Sequence, residues 1–387
     1  MKRLILEDKR AIIDDLLKRI AENLQLNDSR RKLVNQRYEA VSKYIEDSSG
    51  IFNNADIYAQ GSYRIGTTVK PQNGEEYDLD FVVQIDKNWN MLSFNYVYNE
   101  FKNLMHANEN WSTLVIEKTR CIRLNYADEF HMDIIPTCTA NRYINQNEIM
   151  VPDKKEHSWV ISNPEGYALW FESKYIAQTE IYLHDFYPGM EVRAAQPLPN
   201  DNPNILKQPI QNAVQLIKRF RDIYFTENED NKPSSIILTT LIGQLYRGEN
   251  SIYETLESII QRFEYNLEYN KVERKQFHIY NPVLPKEIFT KEWDENPQKF
   301  NHFVEFMRVL KENWKKINTL EGPDLYKLLN ECFGNSVLES ALNSQGLFIQ
   351  KMRDEGKTGI LRTTGGAALY QKEKTQKDRE NIFHGNS

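Results

Sequence analysis

The chain has 387 residues, 40% hydrophobic and 27% charged, enough for two or three modest domains or for two lobes sharing an interface. Its formal net charge of −6 provides no global basic field, so strong nucleic-acid binding is not expected. The charged start MKRLILEDKRAIIDDLL reads as neither a signal peptide nor a membrane span. Three scattered cysteines (Cys121, Cys138, Cys332) suit a reducing cytoplasm rather than a disulfide framework or a zinc cluster.

Apolar residues recur at helical spacing over residues 7–46, predicting one long helix or two, broken near Asn27-Asp28-Ser29. A short strand at 56–59 runs into a Gly61-Ser62 turn, and residues 77–86 read as a strand. Residues 113–126 and 130–137 read as a hairpin. Beyond Pro136 the pattern turns mostly helical, with helices at 164–183, 204–226, 234–247, 251–269, 297–317, 324–333 and 336–353. The Pro-rich stretch 196–209 reads as a linker. The fold expected is α+β, with a mixed-sheet catalytic lobe and N-terminal helices over 1–200 and a helical lobe over 201–365. A flexible tail is expected over 366–387.

The stretch QGSYRIGTTVKPQNGEEYDLDFVV carries the chemistry. Side chains alternate along a strand, so Asp78 and Asp80 project from one face while Leu79, Phe81, Val83 and Ile85 project from the other. Two like charges at that spacing repel unless a cation intervenes. Asp133 is a further lone acid in a β-prone run. Three carboxylates on two strands make an oxygen-only donor set suited to Mg²⁺ or Mn²⁺ rather than zinc. Gly61 permits a tight turn and close approach of a phosphate, and Ser62 offers a hydroxyl to phosphate oxygens. No GxxxxGK[ST] and no GxGxxG is present, which excludes a P-loop and a dinucleotide-binding fingerprint.

Gly61-Ser62, Thr67-Thr68, Asp78-Leu79-Asp80 and His131-Met132-Asp133 together resemble the polymerase-β-type nucleotidyltransferase signature. The fuller wording looks like the bacterial cGAS/DncV-like nucleotidyltransferases, or CD-NTases. Residues 217–222, 232–236 and 280–283 agree with it, and the similarity spans roughly residues 40–350. The resemblance implies a two-lobed polymerase-β-like fold with nucleotide held between the lobes. It implies synthesis of cyclic di- or trinucleotides, or short oligonucleotides, from nucleoside triphosphates such as ATP or GTP, with two Mg²⁺ or Mn²⁺ ions. The products of such enzymes act on downstream effectors in CBASS anti-phage defence. Carried over, Asp78, Asp80 and Asp133 would hold metal, Gly61 and Ser62 would bind phosphate, and Lys218 with Ser234 or Ser235 would grip the triphosphate. Some relatives have tails joined to other molecules by ubiquitin-like machinery. An RNA- or protein-modifying nucleotidyltransferase and an inactive nucleotide sensor are the other readings of this fold.

Several of these residues also have plain structural readings. Lys218, Arg219 and Arg221 form a local basic cluster that could be a solvated helix face. Ser234 or Ser235 reads as an N-cap in any case. His131 could be a hydrogen-bonded sheet residue, Arg64 a salt-bridge partner, and Tyr77 a packing residue on the apolar face of its strand.

Overall fold

Two helices open the chain, α1 (Lys2–Asn23) and α2 (Asp28–Glu46), and the break falls where Asn27 caps the second. Its side chain accepts the Arg30 N–H at 2.8 Å. The computed structural model describes residues 2–72, 77–126, 130–141, 145–183, 207–272, 277–354, 358–361, 367–369 and 375–377. After α2 come β1 (Asp56–Gln60), the single turn α3 (Gly61–Arg64), β2 (Tyr77–Asn88) and α4 (Phe94–His106). Five strands follow: β3 (Val115–Glu117), β4 (Ile122–Tyr126), β5 (Phe130–Asn141), β6 (Asn145–Asp153) and β7 (Ser158–Ser162). They form one sheet in the order β1-β2-β5-β4-β3, with β6 on β5 and β7 on β6; β2 and β5 run parallel and the other pairs antiparallel.

The rest is mainly helical: α5 (Pro164–Leu183), α6 (Pro209–Tyr224), α7 (Ser235–Leu245), α8 (Ile252–Val272), then a hairpin of β8 (Tyr280–Asn281) and β9 (Leu284–Ile288). Then come α9 (Glu292–Glu295), α10 (Pro297–Thr319), α11 (Gly322–Phe333) and α12 (Asn335–Asp354). Most of the 196–209 linker lies outside the described residues. Its end opens α6, where the Gln208 N–H donates to Gln211 Oε1 at 2.9 Å and Pro209 takes the first turn. Part of the segment expected as a flexible tail is paired: β10 (Thr358–Leu361) takes β11 (Ala367–Leu369) and β12 (Thr375–Lys377) on its two sides.

Two sequence expectations need correction. The pattern does not turn helical after Pro136, because β5 runs through that proline and β6 and β7 follow. Pro136 falls where β5 exchanges one antiparallel neighbour for another: Ile134 is paired with Ile122 on β4, and Cys138 with Met150 on β6. A missing N–H there breaks no ladder bond on that side. Helix α4 was also unexpected. Ser93 caps it by accepting the Tyr96 N–H at 3.2 Å, and Val97, Tyr98, Phe101 and Met105 form its buried stripe.

The apolar alternation of β2 explains where the sheet sits. Tyr77, Leu79, Phe81, Val83 and Ile85 are all 2% exposed or less and pack against α2 and α4. Each such burial contributes about 1.5–3 kcal/mol, and together they fix which face of β2 is left for the aspartates. A second core gathers α5 through α12 and also takes in α1 through Ile13, Leu16, Leu17, Ile20 and Leu24. The helical core therefore draws on both ends of the chain. Among the described residues no helix is long and apolar enough to cross a membrane.

Candidate active site

Asp78 and Asp80 share one face of β2, and the parallel register sets Asp80 beside Asp133 on β5. On the far side of Asp133, antiparallel β4 brings Arg123 directly opposite it. The guanidinium donates to both oxygens of Asp133, through Nε at 2.6 Å and Nη2 at 2.7 Å, and Nη2 also reaches Asp78 Oδ1 at 3.4 Å. A cation thus rests within the acidic cluster. In this arrangement no three acidic, His or Cys side chains converge as a ligand set among the described residues. Asp78 is exposed, while Asp80 and Asp133 are half-buried. Burial first, then the charges of Asp133 and Asp78, push the Asp80 carboxyl up to about 7, with Arg123 and Lys218 pulling the other way.

Gly61 begins α3 with φ +61, a left-handed value that favours glycine, and a Cβ built there would lie 2.6 Å from Asp80 Oδ2. The turn and the acid are thus fitted to each other. Ser62 Oγ lies 3.3 Å from Thr68 Oγ1, which holds the hydroxyl over the loop that follows. That loop is clamped by side chains in and just before α6. Gln211 donates to Ile65 O at 3.0 Å, Lys207 to Gly66 O at 2.8 Å and Lys218 to Thr67 O at 3.0 Å. Gln215 donates to Thr68 O at 2.7 Å, and Arg219 to Lys70 O at 2.7 Å. Spacing of three and four residues puts Gln211, Gln215 and Lys218 on one helix face. Lys218 is only 6% exposed. Burial and the nearby Arg221 lower its ammonium to about 8.

Between sheet and helices lies a cavity of about 280 Å³. Its lining brings Gly61, Ser62, Thr67 and Asp80 together with Tyr167 of α5, Thr239 of α7 and Asn281, Glu287 and Phe289 of the β8–β9 hairpin and its flank. Asp78 and Asp133 adjoin Asp80 on the same sheet face, and Lys218 sits behind Thr67. The two serines are elsewhere. Ser234 is exposed at the N-cap of α7 but its side chain makes no capping bond, while Ser235 Oγ accepts from Arg221 at 3.0 Å. Neither lines the cavity. Arg219 and Arg221 are buried rather than solvated, and Arg64 pairs with Glu165 (3.2 Å) and Glu172 of α5. His131 stands in register between Asp78 and Asn125 and shares the face of Asp133; Tyr77 lies on the core side.

The family described as the Second Messenger Oligonucleotide or Dinucleotide Synthetase domain matches residues 12–174. A c-di-GMP synthase of Roseivirga ehrenbergii is 34% identical over 389 residues, covering 99% of this chain and 100% of that protein. The chain belongs to the CD-NTase family of nucleotidyltransferases. A second CD-NTase, the cyclic dinucleotide synthase CdnG of Bradyrhizobium diazoefficiens, is 27% identical over 91% of this chain and 88% of its own. In structure the chain is similar to that CdnG in complex with GTP, with TM-score 0.68, 24% identity and coverage of 86% of this chain and 99% of that one. It is also similar to Escherichia coli MS115-1 CdnC with ATP, at TM-score 0.58, 11% identity and coverage of 84% and 98%. These likenesses show the CD-NTase fold, with its mixed sheet and helical C-terminal part.

Sequence reasoning singled out Lys218 and Arg219 but missed Arg123, the donors Lys207, Gln211 and Gln215, and Glu287. Arg123 carried a signal: it alternates with Ile122 and Leu124 on a strand, so it had to face away from the core. Lys207, Gln211, Gln215 and Glu287 carried none that spacing could supply.

Proposed function

We propose that this CD-NTase joins two guanosine triphosphates into a cyclic dinucleotide, with Gly61, Ser62, Asp78, Asp80 and Asp133 as its working site. The observation that carries the reading is the close approach of Gly61 to Asp80, which sets a phosphate-binding turn in one cavity with the acid that Asp78 and Asp133 flank. The guanosine choice rests on the c-di-GMP synthase that is 34% identical over nearly the whole chain.

The donor set fits Mg²⁺ or Mn²⁺. It is all oxygen, its central acid is hard to ionise beside two others, and a guanidinium already serves there as a stand-in cation. Asp78 and Asp80 would hold two such ions, with Asp133 completing the set. Bound ions would make the attacking hydroxyl more acidic and neutralise the departing pyrophosphate. Ser62 donates its hydroxyl to a triphosphate oxygen and fixes the chain of phosphates over Asp80. Lys218 contributes positive potential through the Thr67 loop it holds. Asp133 faces the incoming 3′- or 2′-hydroxyl of the second nucleotide, whose oxygen bonds to the α-phosphorus as pyrophosphate leaves. A second round closes the ring. The product then acts on an effector protein, the role such nucleotides play in CBASS anti-phage defence.

Incubation of the purified chain with all four triphosphates and Mg²⁺ or Mn²⁺, read by mass spectrometry, tests this. A cyclic guanine dinucleotide formed without RNA, insensitive to moderate salt and lost in an Asp78→Asn, Asp80→Asn double variant is the result expected. Wild-type turnover in that variant would sink the site. Turnover that requires added RNA would sink the product class.

A further inference from the structure

We infer that Glu287 is the residue that reads guanine in the cavity. This rests on the nucleotidyl-transfer reading above and names the base contact within the same site.

Glu287 lies on β9, half-buried, and lines the same cavity as Gly61, Ser62 and Asp80. Its orientation is fixed by a neighbour. Asn281 is 4% exposed, and its Oδ1 accepts the Val283 N–H at 3.0 Å. The amide is therefore oriented by backbone, and its Nδ2 must point the other way, where it donates to Glu287 Oε2 at 2.7 Å. A carboxylate has about four acceptor sites, so one such bond holds the group without exhausting it. Among the residues lining the cavity the acids are Asp80 and Glu287, and none is Lys or Arg. Phe289 and Tyr167 also line it, edge to face with ring centroids 6.3 Å apart, and give a planar base apolar walls.

A fixed carboxylate between aromatic walls has a particular complement. The Watson–Crick edge of guanine presents two adjacent donors, N1–H and the N2 amine, which match two carboxylate oxygens. Adenine presents an acceptor at N1 beside its N6 amine, so its lone pair would meet a negative oxygen. Uracil offers one donor and cytosine one amine beside an acceptor. The pairing with guanine is charge-assisted and gives each of its two adjacent donors an oxygen, and hydrogen bonds to a charged group discriminate by about 10- to 100-fold.

The test compares GTP with inosine triphosphate, which lacks only the 2-amino group, by initial pyrophosphate release in wild type, Glu287→Ala and Glu287→Gln. Wild type is expected to prefer GTP by about 10- to 100-fold in kcat/KM. In Glu287→Ala that preference collapses to within about twofold, because the amine has lost its partner. In Glu287→Gln, whose amide offers one donor and one acceptor, ATP use rises relative to GTP. Each ratio is measured within one protein, so partial loss of folded material cancels. An active wild type indifferent to the 2-amino group, or a Glu287→Ala that keeps the full preference, overturns the assignment while leaving the nucleotidyl-transfer reading intact. A wild type that releases no pyrophosphate from GTP overturns that reading itself.

Discussion

Gly61 and Asp80 are fitted so closely that a single methyl group on the glycine would sit 2.6 Å from Asp80 Oδ2. The glycine also holds φ +61. Gly61→Ala therefore meets two penalties: about 1–2 kcal/mol for a left-handed non-glycine residue, and displacement of the acid or the turn. The melting temperature should fall by a few degrees. Initial rates of pyrophosphate release should fall further than the folded fraction does, by about tenfold or more. A variant that is slightly less stable yet fully active would show that the contact is structural only.

Asp80 costs stability for the sake of the site. It is half-buried, and it faces Asp78 on its own strand and Asp133 across the sheet. Asp80→Asn keeps the shape and removes the repulsion. In metal-free buffer at neutral pH the variant should melt above the wild type. Adding millimolar Mg²⁺ with GTP should raise the wild-type midpoint more than that of the variant. Equal metal-dependent shifts by calorimetry would remove Asp80 from the ligand set.

How much of this was legible beforehand depended on distance along the chain. Asp78 and Asp80 could be read because strand alternation assigns them a face, and Gly61-Ser62 and Asp133 because they complete a signature of short local motifs. The helices of the C-terminal half were legible from their own local periodicity. Arg123 could be given a face but not a partner, since meeting Asp133 depends on the register of β4 against β5. The α6 clamp depends on contacts about 150 residues apart, such as Lys218 with Thr67, which no periodicity encodes. Pro136 misled because a proline in an interior strand is rare unless a pairing partner changes there. Ser234 misled differently: cap position and cap bond are separate facts, and here only the position holds.

Arg123 neutralises the acidic face while no other cation is there. Arg123→Met removes both bonds to Asp133 and the reach to Asp78, so the metal-free protein should lose about 1–3 kcal/mol. Because the acids then have no resident cation, Mn²⁺ without nucleotide should bind the variant more tightly than the wild type, as followed by isothermal titration. Weaker Mn²⁺ binding in Arg123→Met would mean that the guanidinium organises the carboxylates instead of standing in for metal.

Lys218 supplies an alkaline pH signature, distinct from the rise expected as Asp80 ionises at about 7. Burial and Arg221 lower its ammonium from the usual 10.5 to about 8, so the folded protein releases this proton sooner than the unfolded chain. A charged buried lysine costs stability, and that cost fades as pH rises through about 8 towards 10.5. Function should run the other way. As the charge disappears the Thr67 loop loses its cationic support and the triphosphate loses potential. Wild-type kcat/KM for GTP should therefore decline above about pH 8, because kcat/KM reports groups of the free enzyme. Lys218→Arg keeps its charge throughout that range, so its activity, though lowered by the larger head group, should show no decline between about pH 8 and about 9, below the ionisation of guanine N1–H. Lys218→Met should be weak and flat across the same range. A decline of equal slope in all three proteins would assign the titration to another group and leave Lys218 as a clamp for Thr67 alone.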